Sequence, residues 1–440
     1  MTSPAQPDPV QPDSARSSAP DAPAHGPADA GPDADRRPDG RDQAGVVHQI
    51  LSSSWLLSLL ALLVALVVGG VLIAMADARV QDASGYFFAR PQDMLVAVWD
   101  AVRNAYVAMF NGAVYDPQAP SFQRSVRPLT ETLTVATPLV LAGLGVALAF
   151  RASLFNIGAQ GQIIMGATFA AWIGFTWQLP PGVHLVLAVL AGLIGGAIWG
   201  GIPGFLRART GAHEVIVTIM LNYIAFYLLS YLLTTAAFQR PGSSNPVSSH
   251  LEPTAVYPLL LGPGFRLHAG FLVALAATVF VWWLLSRSTV GFRFRAVGAN
   301  PHAARTAGMN VEWSYMLVMI IAGGLAGLAG TAQVMGTERY LTAGIAASIG
   351  FDAITVALLG RSRPWGVLLA GLLFGALRAG GVTMQARTGT PIDIVLVVQS
   401  VIVLLIAAPP LVRTIFRLPA PGKGRAPRPV APAPAKEVQA

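Results

Sequence analysis

The sequence predicts an all-α polytopic membrane protein of about ten transmembrane helices with both termini cytoplasmic, and three observations carry that prediction. Hydrophobic residues make up 54% of the 440 and charged residues only 11%, with a mean hydropathy of +0.57, far from the soluble norm. Apolar runs long enough to cross a hydrocarbon core of about 30 Å recur along the chain. When the loops between them are assigned to alternate sides, nine arginines (151, 207, 209, 287, 293, 295, 305, 361 and 363) fall on one side and four (240, 266, 339 and 387) on the other. The positive-inside rule makes the richer side cytoplasmic.

Residues 1–45 hold eight Asp against four Arg among Pro, Ala and Ser. With no apolar periodicity, they read as a disordered cytoplasmic tail. The membrane domain is expected over 55–412, followed by a basic, Pro-rich, disordered cytoplasmic tail at 413–440. The first span is 55–76. Between 77 and 130 acids, arginines and aromatics mix, and 94–110 reads as an amphipathic helix lying at the outer surface. Span 2 covers 129–150. Span 3, 155–177, opens with the polar octet FNIGAQGQ. Span 4, 183–206, carries Gly192, Gly196, Gly200 and Gly204, one per turn, a smooth face for another helix to approach.

Span 5, 214–236, contains the polar patch Thr218, Asn222 and Tyr223. A Ser- and Pro-rich outer loop, 238–268, leads to span 6 at 269–285. Span 7, 315–335, has Gly323 and Gly327 as a second close-packing face. Spans 8 and 9, at 343–360 and 365–380, flank the sequence RSRP, and span 10 is 392–411. Broken or re-entrant backbone is expected near 155–162 and 343–366.

The loop at 287–314 sets Arg287, Arg293, Arg295 and Arg305 against the single acid Glu312. It contains a short helix with signals at both ends. Asn300 can cap the first turn, Pro301 suits the first helical position, and Gly308 can stop the helix in the left-handed conformation. A helix this short is marginal alone in water, so a partner must grip it.

Composition excludes several classes of function. There is no cysteine, hence no disulfide, thiol chemistry or thiolate metal site. The chain lacks a GxxxxGK[ST] loop, an HExxH pair and a GxSxG elbow, so neither ATP hydrolysis by the P-loop route nor hydrolase chemistry is expected of it. The histidines, among them His184, His213, His268 and His302, lack metal-ligand spacing. No metal or catalytic site is expected. No basic helix with interleaved aromatics points to nucleic acid. What the spans do contain is a sparse polar set. Asn156, Gln160 and Gln162 form either a broken segment beside a translocation path or an interfacial turn capping span 3. Asp352 and Thr355 either face the bundle interior or cap a helix near the outer interface. Thr218 and Asn222 either line the path or hydrogen-bond a neighbouring helix.

Four stretches in order, FNIGAQGQ, EVIVTIMLNYIA, GFRFRAVGANPHAARTAGMN and GFDAITVALLGRSRPWG, resemble permease subunits of bacterial ABC importers. The branch is the one containing simple-sugar and branched-chain amino-acid permeases. The wording looks most like nucleoside uptake permeases paired with basic-membrane-protein-type lipoproteins. The resemblance spans about residues 55–412. It implies a multi-pass protein of the bacterial plasma membrane and a separate cytoplasmic ATPase carrying the ATP and Mg. It also implies a second permease subunit forming a heterodimer and a substrate-binding lipoprotein. The loop would supply a coupling helix. Its family pattern of Glu-Ala-Ala, three residues, then Gly is matched by Ala303, Ala304 and Gly308, with His302 in the Glu position. Gln160 stands where nucleoside-type members commonly carry Glu. Simple-sugar transport of the ribose type is the nearer alternative, and an ion-coupled secondary transporter is the reading from another class.

Overall fold

The structure, a computed structural model, describes residues 54–417; the tail expected at 1–45 and residues 418–440 of the one expected at 413–440 lie outside them. Among the described residues the secondary structure is helical, with no strand beyond isolated bridges in the 239–268 loop and at Thr342. The order is α1 (Ser54–Ala76), α2 (Ala78–Ser84), α3 (Pro91–Ala113), α4 (Phe122–Arg151), α5 (Ala159–Thr176), α6 (Val183–Thr210), α7 (Glu214–Leu232) and α8 (Gly270–Arg287). Then come α9 (Thr289–Ala299), α10 (Pro301–Thr306), α11 (Val311–Thr331), α12 (Ile349–Leu359), α13 (Pro364–Thr388), α14 (Asp393–Ala407) and α15 (Pro409–Ile415).

Seven helices among the described residues are long and apolar enough to cross a membrane, which makes this a multi-pass membrane protein. The other three expected spans take shorter or more polar forms. Span 3 is α5, which begins only at Ala159 and carries Gln160 and Gln162 in its first turn. Span 8, within the stretch where broken or re-entrant backbone is expected, is the 11-residue α12. At 1.5 Å per residue it covers about 16 Å, half the hydrocarbon thickness. Span 10 is divided by Pro409 and Pro410 into α14 and α15, so helix continues to Ile415, past the expected end of the membrane domain.

The segment expected as a surface helix at 94–110 is instead the longer α3, docked between α1 and α13. Its small residues explain the difference. Ala101, Ala105, Ala108 and Gly112 recur at helical spacing and are buried. A Cβ on Gly112 would meet the Thr383 side chain at 2.2 Å, and the Tyr106 hydroxyl donates to the Leu66 carbonyl in the middle of α1.

The core is built on α4, buried almost continuously from Ala136 to Ala149. Beside it, α6 and α11 approach through the glycine faces expected from the sequence. A Cβ on Gly196 would meet the Gly323 carbonyl oxygen at 2.3 Å, and one on Gly327 the Gly192 oxygen at 2.3 Å. Only backbone fits between these helices, and dispersion between close backbones holds them where lipid supplies no hydrophobic drive. α7 turns Ile216, Met220, Tyr223 and Tyr227 outward, so Tyr223 is separated from the buried Thr218 and Asn222.

Candidate functional site

Helix α4 ends at Arg151, and residues 154–157 cross to α5 without helical structure. Such backbone needs partners, because an unpaired amide buried at membrane depth costs several kcal/mol. The amide side chains of the octet and of α7 supply them. Asn156 Nδ2 donates to Gln162 Oε1 at 3.1 Å, and Asn156 Oδ1 accepts from the Gly158 N–H at 2.9 Å. Asn222 accepts from the Gly161 N–H at 2.8 Å and donates to the Ile157 carbonyl at 3.0 Å. Thr218 packs against Gly158, where a Cβ would come within 3.0 Å of it, and its hydroxyl donates to the Val215 carbonyl. Asn156, Gln162, Thr218 and Asn222 are all buried.

The depth of this cluster follows from α7. Its first residue, Glu214, pairs with Arg207 and accepts from the Phe155 N–H. Thr218 and Asn222 lie one and two turns further on, about 6 and 12 Å along the helix.

Gln160 reaches across to the second broken segment. Its Oε1 accepts from the Gly350 N–H at 2.9 Å, and its Nε2 donates to the Ala347 carbonyl at 2.5 Å. The partners fix the orientation of the amide, since an N–H can only donate and a carbonyl can only accept. Ala347 itself has a φ of 41°, in the left-handed region, so the clamp holds backbone that an alanine rarely adopts.

Asp352, in the first turn of α12, lies next to this clamp. Arg378 of α13 pairs with it at 2.8 Å. Ser348 donates to the same carboxylate at 2.9 Å and accepts from Arg378 at 2.5 Å. Thr355 turns its hydroxyl to the Asp352 carbonyl within α12, at 2.6 Å. Sequence reasoning passed over Arg378. The signal was available: a lone arginine inside an apolar run requires a carboxylate, and Asp352 is an acid in the neighbouring one.

Arg378 lines a cleft of about 670 Å³ between α4 and α13. At its mouth Glu131 is held by Arg127 and Arg266. Its wall includes Gln333 and Thr337 from Ala332–Glu338, where α11 continues in π-helical register. Ala347 and Ile349 of the broken segment also line it. Asn156 and Gln162 of the octet and Thr218 and Asn222 of α7 do not.

At the other end of the bundle, the short helix forms as its capping residues dictate. The Asn300 side chain accepts from the N–H groups of His302 and Ala303, both at 3.0 Å, and Pro301 is its first residue. Gly308 closes it at φ 79°, with the Met309 N–H bonded to the Ala304 carbonyl. Ala304 buries itself against Val297 and Val311, while His302, Ala303 and Arg305 stay exposed. Arg295 on α9 is exposed as well. α9 lies against the end of α4: the Ser153 hydroxyl donates to the Gly298 carbonyl at 2.7 Å. Arg151 Nε donates to the Ser362 carbonyl at 2.9 Å in the turn between α12 and α13.

The sequence profile described as branched-chain amino acid transport system, permease component, matches residues 129–407. The guanosine ABC transporter permease of Bacillus subtilis is 38% identical over 324 residues, covering 73% of this chain and 90% of that one. A glucose ABC transporter permease of Haloferax volcanii is 39% identical over 288 residues, 63% of this chain and 75% of its own. A nucleoside ABC transporter permease of Lactococcus lactis is 35% identical over 292 residues, 64% of this chain and 80% of its own. No solved structure matches the chain.

Proposed function

This chain belongs to the permease-component family of branched-chain amino acid transport systems, and from that premise we propose that it imports nucleosides as the membrane-spanning subunit of an ATP-driven ABC importer. It is a transport component rather than an enzyme. The observation that carries the substrate class is the similarity to the guanosine permease, which runs through 90% of that protein's length.

In this reading a lipoprotein delivers substrate at the outer face of a bacterial plasma membrane. A cytoplasmic ATPase, holding ATP and Mg, grips the exposed face of α10, with α9 and its Arg295 alongside. A second permease subunit completes the path as a heterodimer. The arginine-rich loops support a cytoplasmic side for α9, α10 and both termini. ATP can bias the permease only through contacts that differ between its two conformations, and α10 is where such contacts would be made. The polar residues of the octet, α7 and α12 border the path by holding its broken backbone in place.

Sugar import is the second reading, favoured by the 39% identity to the glucose permease. An ion-coupled carrier fits less well. It needs a free titratable group on the path, and Asp352 is already paired with Arg378. Uptake of labelled guanosine, ribose and glucose, in cells with and without this chain, tests the proposal. Guanosine uptake that depends on the chain is the expected result; chain-dependent uptake of a sugar alone would replace nucleosides with sugars.

A further inference from the structure

The cleft between α4 and α13 presents hydrogen-bonding groups without partners among the described residues. Arg378 lies 14 residues from the start of α13 and 10 from its end, near the middle of the helix, about 21 and 15 Å from its two ends. Its Nη2 serves both Asp352 and Ser348. Nε and Nη1 carry no hydrogen bond among the described residues, and the side chain, 26% exposed, lines the cleft. The ion pair cancels the charge, so what remains for a ligand is a set of N–H donors without net charge behind them. Opposite, Gln333 and Thr337 lie four residues apart on the π-helical segment, half-buried and likewise without side-chain hydrogen bonds among the described residues. π-helical turns inside helices recur at functional sites because they re-aim side chains. The volume of about 670 Å³ is within the range of small-molecule sites.

Resting on the nucleoside reading above, we propose that Arg378 is a specificity-determining residue that selects purine nucleosides with an oxo group at C6, as in guanosine and inosine, over those with an amino group at C6, as in adenosine. The guanidinium only donates. A base carbonyl accepts from Nη1, whereas an exocyclic amino group would set donor against donor. Gln333 and Thr337, which both donate and accept, suit the ribose hydroxyls. The Asp352 carboxylate positions the guanidinium and offsets its charge.

The test compares the complete transporter, with its ATPase, partner permease and lipoprotein, in wild-type form and as the double variant Arg378→Gln, Asp352→Asn. The double change avoids leaving a buried charge unpaired. A glutamine donates and accepts, and so reads oxo and amino groups alike. The ratio of guanosine to adenosine uptake, measured as KM for each, should fall by about tenfold or more, the usual worth of a hydrogen bond to a charged group. The lipoprotein's own preference is common to both proteins and cancels. An unchanged ratio overturns the role of Arg378 and leaves nucleoside transport standing. Absence of guanosine uptake by the wild type overturns both. A second measurement covers a variant that does not insert. The wild-type permease–ATPase complex without lipoprotein, in lipid nanodiscs, should be stabilised against heat by millimolar guanosine, and by adenosine only at about tenfold higher concentration. Equal stabilisation by the two, or none, overturns the proposal.

Discussion

The Ser153 hydroxyl donates to the Gly298 carbonyl at 2.7 Å, joining the end of α4 to α9, the helix that precedes α10. The approach is close: a Cβ on Gly298 would meet the Arg151 carbonyl oxygen at 2.2 Å. Arg151 in turn holds Ser362. A displacement of α9 is thus felt both at the turn leading into α5 and at the turn after α12. Gly298→Val should separate α9 from α4 and reduce uptake at least about tenfold while ATP hydrolysis continues, and Ser153→Ala should do so more weakly, by the about 1 kcal/mol of one hydrogen bond. Uptake per ATP hydrolysed in reconstituted vesicles is the measurement, and an unchanged ratio in Gly298→Val would show that this contact transmits nothing.

Gln160, in the first turn of α5, bonds the second broken segment twice, accepting from Gly350 and donating to Ala347. A glutamate of the same shape keeps the first bond and sets its second oxygen against the Ala347 carbonyl, acceptor to acceptor. Gln160→Glu should therefore lower stability by about 1 kcal/mol, the worth of one hydrogen bond. Thermal unfolding in detergent checks this, and a midpoint equal to that of the wild type would mean that the clamp relaxes without cost.

Much of this architecture was legible because it rests on local rules. Glycines one turn apart on α6 and a matching pair on α11 announced the close approach between Gly196 and Gly323. Asn300, Pro301 and Gly308 wrote the ends of α10 directly into the sequence. What could not be read depends on distant partners. Broken backbone is expected near 343–366, but the short length of α12 is not: the Gln160 clamp and the turn at Ala347 that precede it leave no mark in the apolar run 343–360. Arg378 was hidden because a hydropathy window averages one charge away; its meaning comes from Asp352, 26 residues earlier. Asn156 and Asn222 were legible as polar residues, but whether they face a path or hold backbone depended on where the Gly161 N–H points.

His268 supplies a pH dependence. Just before α8, it is buried and stacked on Tyr257, with Nδ1 accepting from the Gly270 N–H. Its Nε2 has no partner among the described residues. Burial, with a smaller contribution from Arg266, pushes its pKa down to about 4 from the usual 6.5. The unfolded chain therefore takes up a proton at a higher pH than the folded one. Stability from this group is complete above about pH 6.5, declines as pH falls, and levels off below about pH 4, with a total loss of about 3 kcal/mol. Unfolding midpoints of the wild type and His268→Gln between pH 7 and 4 should diverge in that window, about those limits. Parallel curves would assign the acid sensitivity to another group.

Gly308 tests the proposed grip of the ATPase on α10. It sits at φ 79° with no atom within 4 Å of where a Cβ would lie, so the constraint there is conformational rather than steric crowding by neighbours. A valine in the left-handed region costs about 1–2 kcal/mol, and relaxing it would undo the bond from Met309 to Ala304 that closes α10. Gly308→Val should leave the protein inserted, since α10 lies outside the spanning helices, and should lower uptake while ATP hydrolysis persists. Gly308→Asn, which tolerates the same backbone, should retain most of the transport. Normal uptake by the valine variant would mean that the ATPase does not depend on the shape of this helix end; loss in both variants would point instead to a side chain obstructing the docked partner.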